Sequence, residues 1–149
     1  MDASAREFAL NIINQEHDLT LATVRPDGYP QAITVSYAND GLTIYVGTGK
    51  GSQKVNNIRH NNKVSLTINT DYQDWNHIKG LSMGGTAEIL TDPEEVRRAA
   101  ECLIKRYPEA AALAQTIQPS DLVFLRIEPQ VISILDYEKG FGHTDLVTV

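Results

Sequence analysis

The chain has 149 residues, 42% of them hydrophobic, and a formal net charge of −6. That apolar fraction supports a folded core and excludes a disordered chain, while the acidic balance excludes a broad nucleic-acid surface, which needs a basic face. The single cysteine, Cys102, excludes an internal disulfide; with no basic, apolar leader and no run near the ~20 residues of a membrane span, the expectation is a soluble cytoplasmic protein without a membrane partner.

The apolar spacing of Ala5, Phe8, Ala9, Ile12 and Ile13 predicts a helix over residues 4–16, with Ser4 as its N-cap. The period then changes to two. Residues 19–24, 31–37 and 42–46 read as strands, separated by the turn signals Arg25-Pro26-Asp27-Gly28 and Asn39-Asp40-Gly41, which predicts a three-strand meander. A glycine-rich loop leads into a short helix over 52–60, and residues 63–68 form the next strand. Residues 69–80 are polar and aromatic without a period and read as a long loop. Residues 81–90 return as a strand, interrupted by Gly84-Gly85, where a bulge is expected.

Asp92-Pro93-Glu94-Glu95 combines a cap, a first-turn proline and a glutamate three positions on, and starts a helix running to about Tyr107. A short alanine-rich helix over 108–115 follows. Two closing strands, 122–127 and 131–135, are split by Glu128-Pro129. No repeat or linker interrupts the chain, so one domain over 1–149 is expected. Consecutive strands with tight turns imply an antiparallel sheet, and this many in so short a chain usually curl into a small barrel. The fold class is mainly β with peripheral helices. Strands and helices do not alternate as a Rossmann domain requires.

Three groups of residues are candidates for chemistry. In Val46-Gly47-Thr48-Gly49-Lys50-Gly51-Ser52-Gln53-Lys54 a strand feeds a glycine-rich loop and a helix start. The first N–H groups of a helix are unpaired and can hold an anion. Lys50 and Lys54 sit where the helix dipole disfavours cations, a conflict that a bound phosphate would relieve. The spacing is not that of a P-loop, and a glycine-rich turn with exposed lysines remains the alternative. In strand 31–37, Ile33, Val35 and Tyr37 form a bulky apolar face. Ala32, Thr34 and Ser36 form a small one, fit either for a planar ring or simply for solvent. Trp75 and His77 in the long loop, and Phe141 and His143 in the glycine-flanked tail, are aromatic and imidazole groups able to fold over a ligand; a surface loop and a frayed terminus are the plainer readings. The four histidines lack metal-ligand spacing, so no metal site is expected, and Cys102 reads as a structural thiol.

Leu21-Ala22-Thr23-Val24, Asp27-Gly28-Tyr29-Pro30, Ile44-Tyr45-Val46, Gly51-Ser52-Gln53-Lys54 and Asn62-Lys63-Val64-Ser65-Leu66 resemble, in order and spacing, the pyridoxamine 5′-phosphate oxidase-like proteins. The resemblance is carried by residues 19–90 and implies an antiparallel split β-barrel, usually a homodimer, with FMN at the dimer interface. By position, Ser52 and Lys54 match the serine and lysine that grip the flavin phosphate, with Thr48 and Lys50 as helpers. Ile33, Thr34 and Val35 fall where a strand passes the flavin ring. Trp75 and His77 lie where the family often reaches the partner's flavin, and Phe141 and His143 are candidates for the substrate side. Gln53 and Ile33 replace arginines of the true oxidases, and the oxidases' C-terminal arginine- and tryptophan-bearing segment is missing. The resemblance therefore implies an FMN-dependent oxidoreductase acting on a small organic substrate or a nicotinamide, and not a true pyridoxamine phosphate oxidase. The alternatives are a flavin- or haem-binding protein without its own turnover, with His143 or His77 as an axial ligand to haem, and a deazaflavin-dependent reductase.

Overall fold

The computed structural model describes all residues, 1–149. Helix α1 (Ala3–Gln15) buries Ala9, Ile12 and Ile13. Its cap is Asp2, whose carboxylate accepts from the Ala5 N–H at 2.7 Å, not the expected Ser4, which lies inside the first turn. Strands β1 (Asp18–Val24) and β2 (Pro30–Ser36) form the expected hairpin. Its turn closes through Gly28, whose φ of 88° suits only a residue without a Cβ.

The expected meander stops there. Strand β3 (Ala38–Asp40) and strand β4 (Thr43–Gly49) pair with each other, and β4 then pairs with β7 (Leu122–Asp136) rather than with β2. With β5 (Lys63–Asn69) and β6 (Lys79–Ile89), the strand order is β2-β1-β5-β6-β7-β4-β3. The curled antiparallel sheet thus ends at β2 and β3, and no ladder joins those ends, so the barrel is split.

The apolar run in β4 has a physical reason. Ile44 and Val46 face the main core, while Tyr45 turns outward into a second cluster with Leu90 and Ala99. A strand covered on both faces needs no alternation. The outer cover is α3 (Pro93–Arg106), started by Asp92, whose carboxylate accepts from the Glu95 N–H at 3.2 Å. The short α4 (Glu109–Ala114) follows, and α2 (Gln53–His60) sits between β4 and β5.

The closing strands are not split. Residues 122–136 form one 15-residue strand, because β7 leaves Gln130 unpaired opposite the Gly84–Gly85 step and resumes its ladder with β6 on both sides of Pro129. Gly85 is opposite Pro129, and a Cβ at Gly85 would run into the Glu128 carbonyl. The tail is not frayed either: Thr144–Thr148 forms β8 against β7. The long loop holds a 3₁₀ turn over Trp75–His77. Arg106 ties α3 to the end of α1, donating to the carbonyls of Ile13 (3.0 Å) and Asn14 (3.2 Å), with its guanidinium over the Tyr37 ring. Burial pushes the Tyr37 phenol up to about 12. No helix is long and apolar enough to cross a membrane.

Candidate functional site

The corner where β4 gives way to α2 is built by the backbone of the glycine loop. The Lys50 N–H donates to the Asp121 carbonyl at 2.9 Å, and the Ser52 N–H donates to the Gly49 carbonyl at 3.1 Å. This folds Thr48 toward Ser52, and the nearly buried Thr48 hydroxyl donates to Ser52 Oγ at 3.4 Å. Ser52 occupies the N-cap position of α2, yet its side chain makes no capping bond, so no side chain serves the first-turn N–H groups of the helix. Lys54, in that first turn, is half-buried. Burial alone holds its ammonium below the usual lysine range, since no carboxylate is near enough to oppose it. Two hydroxyls meet at the positive end of α2, with the partly desolvated Lys54 in its first turn. That donor set fits a phosphate, the anchor group of FMN.

Beneath the corner lies a polar network that sequence reasoning missed. Asn57 is fully buried. Its Oδ1 accepts from Gln53 Nε2 at 2.8 Å, and its Nδ2 donates to Thr23 Oγ1 at 2.9 Å and to Gln31 Oε1 at 3.0 Å. Gln53 is thereby turned into the fold. The network pins α2 to β1 and to the start of β2. The signal was the i,i+4 pairing of Gln53 with Asn57 on a short helix, but nothing local marked Asn57 as buried.

Strand β2 runs from that network along the open edge of the sheet. Its residues pair with β1 on one side only. Ile33 lies opposite the buried Leu21, on the core side, yet is 43% exposed because the sheet ends beside it; Val35 is half-buried. The expected bulky face is therefore only partly covered. Thr34 is on the outer side, opposite Thr20, which in turn is opposite Thr67 of β5. The small face of β2 thus continues across β1 and β5.

The remaining candidates gather elsewhere. Trp75 and Phe141 meet with ring centroids 6.0 Å apart, and Tyr137 packs edge-on to Phe141 at 5.4 Å. Trp75 and Phe141 are 66% and 70% exposed. His77 Nδ1 is 2.7 Å from Asp74 Oδ1, and this hydrogen bond and charge raise the imidazole's pKa. His143 Nε2 is 3.0 Å from Asp145 Oδ2. This cluster lies at the Asn69–Gly80 end of the β5–β6 ladder, whereas α2 joins β5 at the Lys63–Thr86 end. At ~3.3 Å per residue the two ends of that ladder are roughly 20 Å apart. Thr48, Lys50, Ser52, Gln53 and Lys54 thus share one loop and helix start, which Gln53 and Asn57 tie to Gln31 at the start of β2, and Trp75, His77, Phe141 and His143 lie elsewhere.

Comparison with known proteins bears on the family and the fold. The chain is 24% identical over 131 residues to general stress protein 26 of Bacillus subtilis (strain 168), covering 88% of each chain. Its fold superposes on a haem-binding protein from Mycobacterium smegmatis with a TM-score of 0.82 and 23% identity, over 99% of this chain but only 59% of that one, so it spans about three-fifths of that relative. It also superposes on the conserved hypothetical protein Rv2991 from Mycobacterium tuberculosis (TM-score 0.78, 28% identity, 97% of this chain and 91% of that one). The family model described as pyridoxamine 5′-phosphate oxidase matches residues 5–136, and this chain belongs to that family.

Proposed function

We propose that this protein binds FMN non-covalently and acts as an oxidoreductase on a small organic substrate or a nicotinamide. The observation that carries the reading is Lys54: a half-buried ammonium without a counter-charge, beside an uncapped helix start and the paired hydroxyls of Thr48 and Ser52. An anion at this corner would offset that partial desolvation. When bound, FMN supplies the electron or hydride transfer. The chain's own part is to hold the phosphate at Ser52 and Lys54, with Thr48 and Lys50 beside them. The free edge of β2 at Ile33–Val35 presents unpaired backbone groups to a ring.

The aromatic group is too far from its own corner to contribute, so Trp75, His77, Phe141 and His143 would act only from a second copy. This supports a homodimer with the cofactor between subunits. The test is a flavin titration of native protein and Lys54→Ala. The expected result is binding by the native chain, weakened about tenfold or more in the variant; equal affinity overturns the phosphate assignment.

A second reading takes haem, without turnover. It is favoured by the fold shared with the Mycobacterium smegmatis haem-binding protein. His77 and His143 also each meet a carboxylate, the arrangement that orients an imidazole for axial ligation. The visible spectrum separates a flavin band from a Soret band, and a deazaflavin titration tests the related reductase chemistry.

A further inference from the structure

A groove of about 540 Å³ opens directly beside the phosphate corner, between β4 and the helices α3 and α4. Thr48 and Gly49 belong to both. Its walls are Leu103, Ile104, Leu113, Ile117, Leu122 and Phe124. Leu113 is 63% exposed, Ile104 39% and Ile117 37%, a concentration of bare aliphatic surface around one concavity. The helices cannot close it. α4 is only six residues long, so Leu113 finds no partner wall. No lysine, arginine or histidine lines the groove, and its charged lining groups are the carboxylates Glu109 and Asp121. Its size lies in the range of small-molecule sites.

We propose that this groove binds an uncharged, apolar small molecule, and that it is the substrate pocket of the flavin corner. As a substrate pocket the assignment rests on the flavin reading; as a binding site it stands on the groove alone. The charge pattern excludes anions, and the mainly aliphatic walls favour an apolar molecule. An anionic molecule entering between Glu109 and Asp121 meets like charge and no counter-ion, whereas a neutral ring or chain covers aliphatic surface that is otherwise wet. Phosphorylated and carboxylated compounds are therefore poor ligands of the groove. The cations that suit an anion are confined to the corner at its mouth.

The test uses N-phenyl-1-naphthylamine, a neutral fluorophore that brightens on leaving water, titrated into the native protein and Leu113→Glu. Leu113 is exposed, so the charge enters without disturbing the core. The expected result is probe binding that Leu113→Glu weakens about tenfold. Excess pyridoxal 5′-phosphate does not displace the probe, and the mass in solution is the same for Leu113→Glu and native protein. Equal probe affinity in Leu113→Glu overturns the proposal, as does displacement by pyridoxal 5′-phosphate. A fall in mass for Leu113→Glu also overturns it, since a second copy would then cover the groove. If native protein binds the probe but not FMN, the flavin reading fails and the groove assignment survives as a binding site.

Discussion

Asn57 Nδ2 donates to Thr23 Oγ1 at 2.9 Å in a spot that no water reaches, and this bond fixes α2 against β1 directly beneath the candidate phosphate corner. Removing the amide orphans Thr23, Gln31 and Gln53 together. Asn57→Ala should therefore lower unfolding stability by about 2–3 kcal/mol, the cost of buried polar groups left unpaired. It should also weaken FMN binding, because the start of α2 is no longer held. Urea denaturation followed by flavin titration reads both effects. A stable variant with native affinity would show that the network has no part in positioning the corner.

Lys54 gives a prediction of opposite sign for stability and binding. Its folded-state pKa lies below the unfolded one, so the folded chain releases this proton first, and stability rises with pH through that interval. Near neutral pH the partial desolvation of this charge is a cost. Lys54→Met should raise the urea midpoint there, and the gain should shrink as pH climbs through the depressed pKa. The same variant should lose affinity for FMN. A gain in stability with a loss of ligand is the signature of a residue kept for binding; a loss of both would mark Lys54 as structural.

Much of this was legible in sequence, because local rules suffice where local forces dominate. The β1–β2 hairpin, the Asp92 start of α3 and the Gly84-Gly85 bulge all follow from turn, cap and glycine chemistry. What failed depended on distant partners. Residues 42–46 read as the next strand of a meander, but Ile44 and Val46 serve the main core while Tyr45 serves α3, so β4 pairs with β7 instead. Pro129 read as a strand break, because the one-residue slip that accommodates it, which leaves Gln130 unpaired, shows only against Gly84 and Gly85 of the partner strand. At the site, Thr48, Ser52 and Lys54 were visible as a contiguous loop. Asn57 was not, since its burial depends on Thr23 and Gln31, both more than twenty-five residues away.

The bulge offers a paired test. At Gly85 a Cβ would clash with the Glu128 carbonyl and lie 3.0 Å from Pro129 Cα, whereas at Gly84 nothing lies within 4 Å. Gly85→Ala must therefore shift the backbone of β7, at about 3 kcal/mol or more. Gly84→Ala should change stability by less than about 1 kcal/mol. Thermal melts of the two variants check this, and similar melting points would refute the close approach.

His77 and Asp74 form an exposed pair that shifts both pKa values apart: the hydrogen bond and charge of Asp74 raise His77, and His77 lowers Asp74. Any stability from raising His77 is fully present below its unfolded pKa and is lost as pH rises through the folded one. Any from lowering Asp74 is present above its unfolded pKa and is lost as pH falls through the folded one. Both contributions are small, because water screens the pair. The clear readout is spectroscopic. NMR titration should show the His77 imidazole titrating above an ordinary histidine, and Asp74→Asn should bring it back down. An unmoved titration in that variant would assign the shift elsewhere.

The tail can be followed through a single reporter, because Trp75 is the only tryptophan in the chain. Its ring is 6.0 Å from that of Phe141, which in turn meets Tyr137. Contacts of this kind are worth about 0.5–1.5 kcal/mol at most, and both Trp75 and Phe141 are largely exposed, so Phe141→Ala should leave global stability nearly unchanged. Its effect should be local: Trp75 loses its packed neighbour, its emission shifts to the red, and quenching by iodide rises. Pairing of β8 with β7 holds Phe141 in place from the C-terminal side, so deletion of Thr144–Thr148 should produce the same optical change without touching either ring. If both variants fluoresce as the native protein does, Phe141 is not packed on Trp75 in solution, and the aromatic group cannot serve as a preformed surface for a second copy.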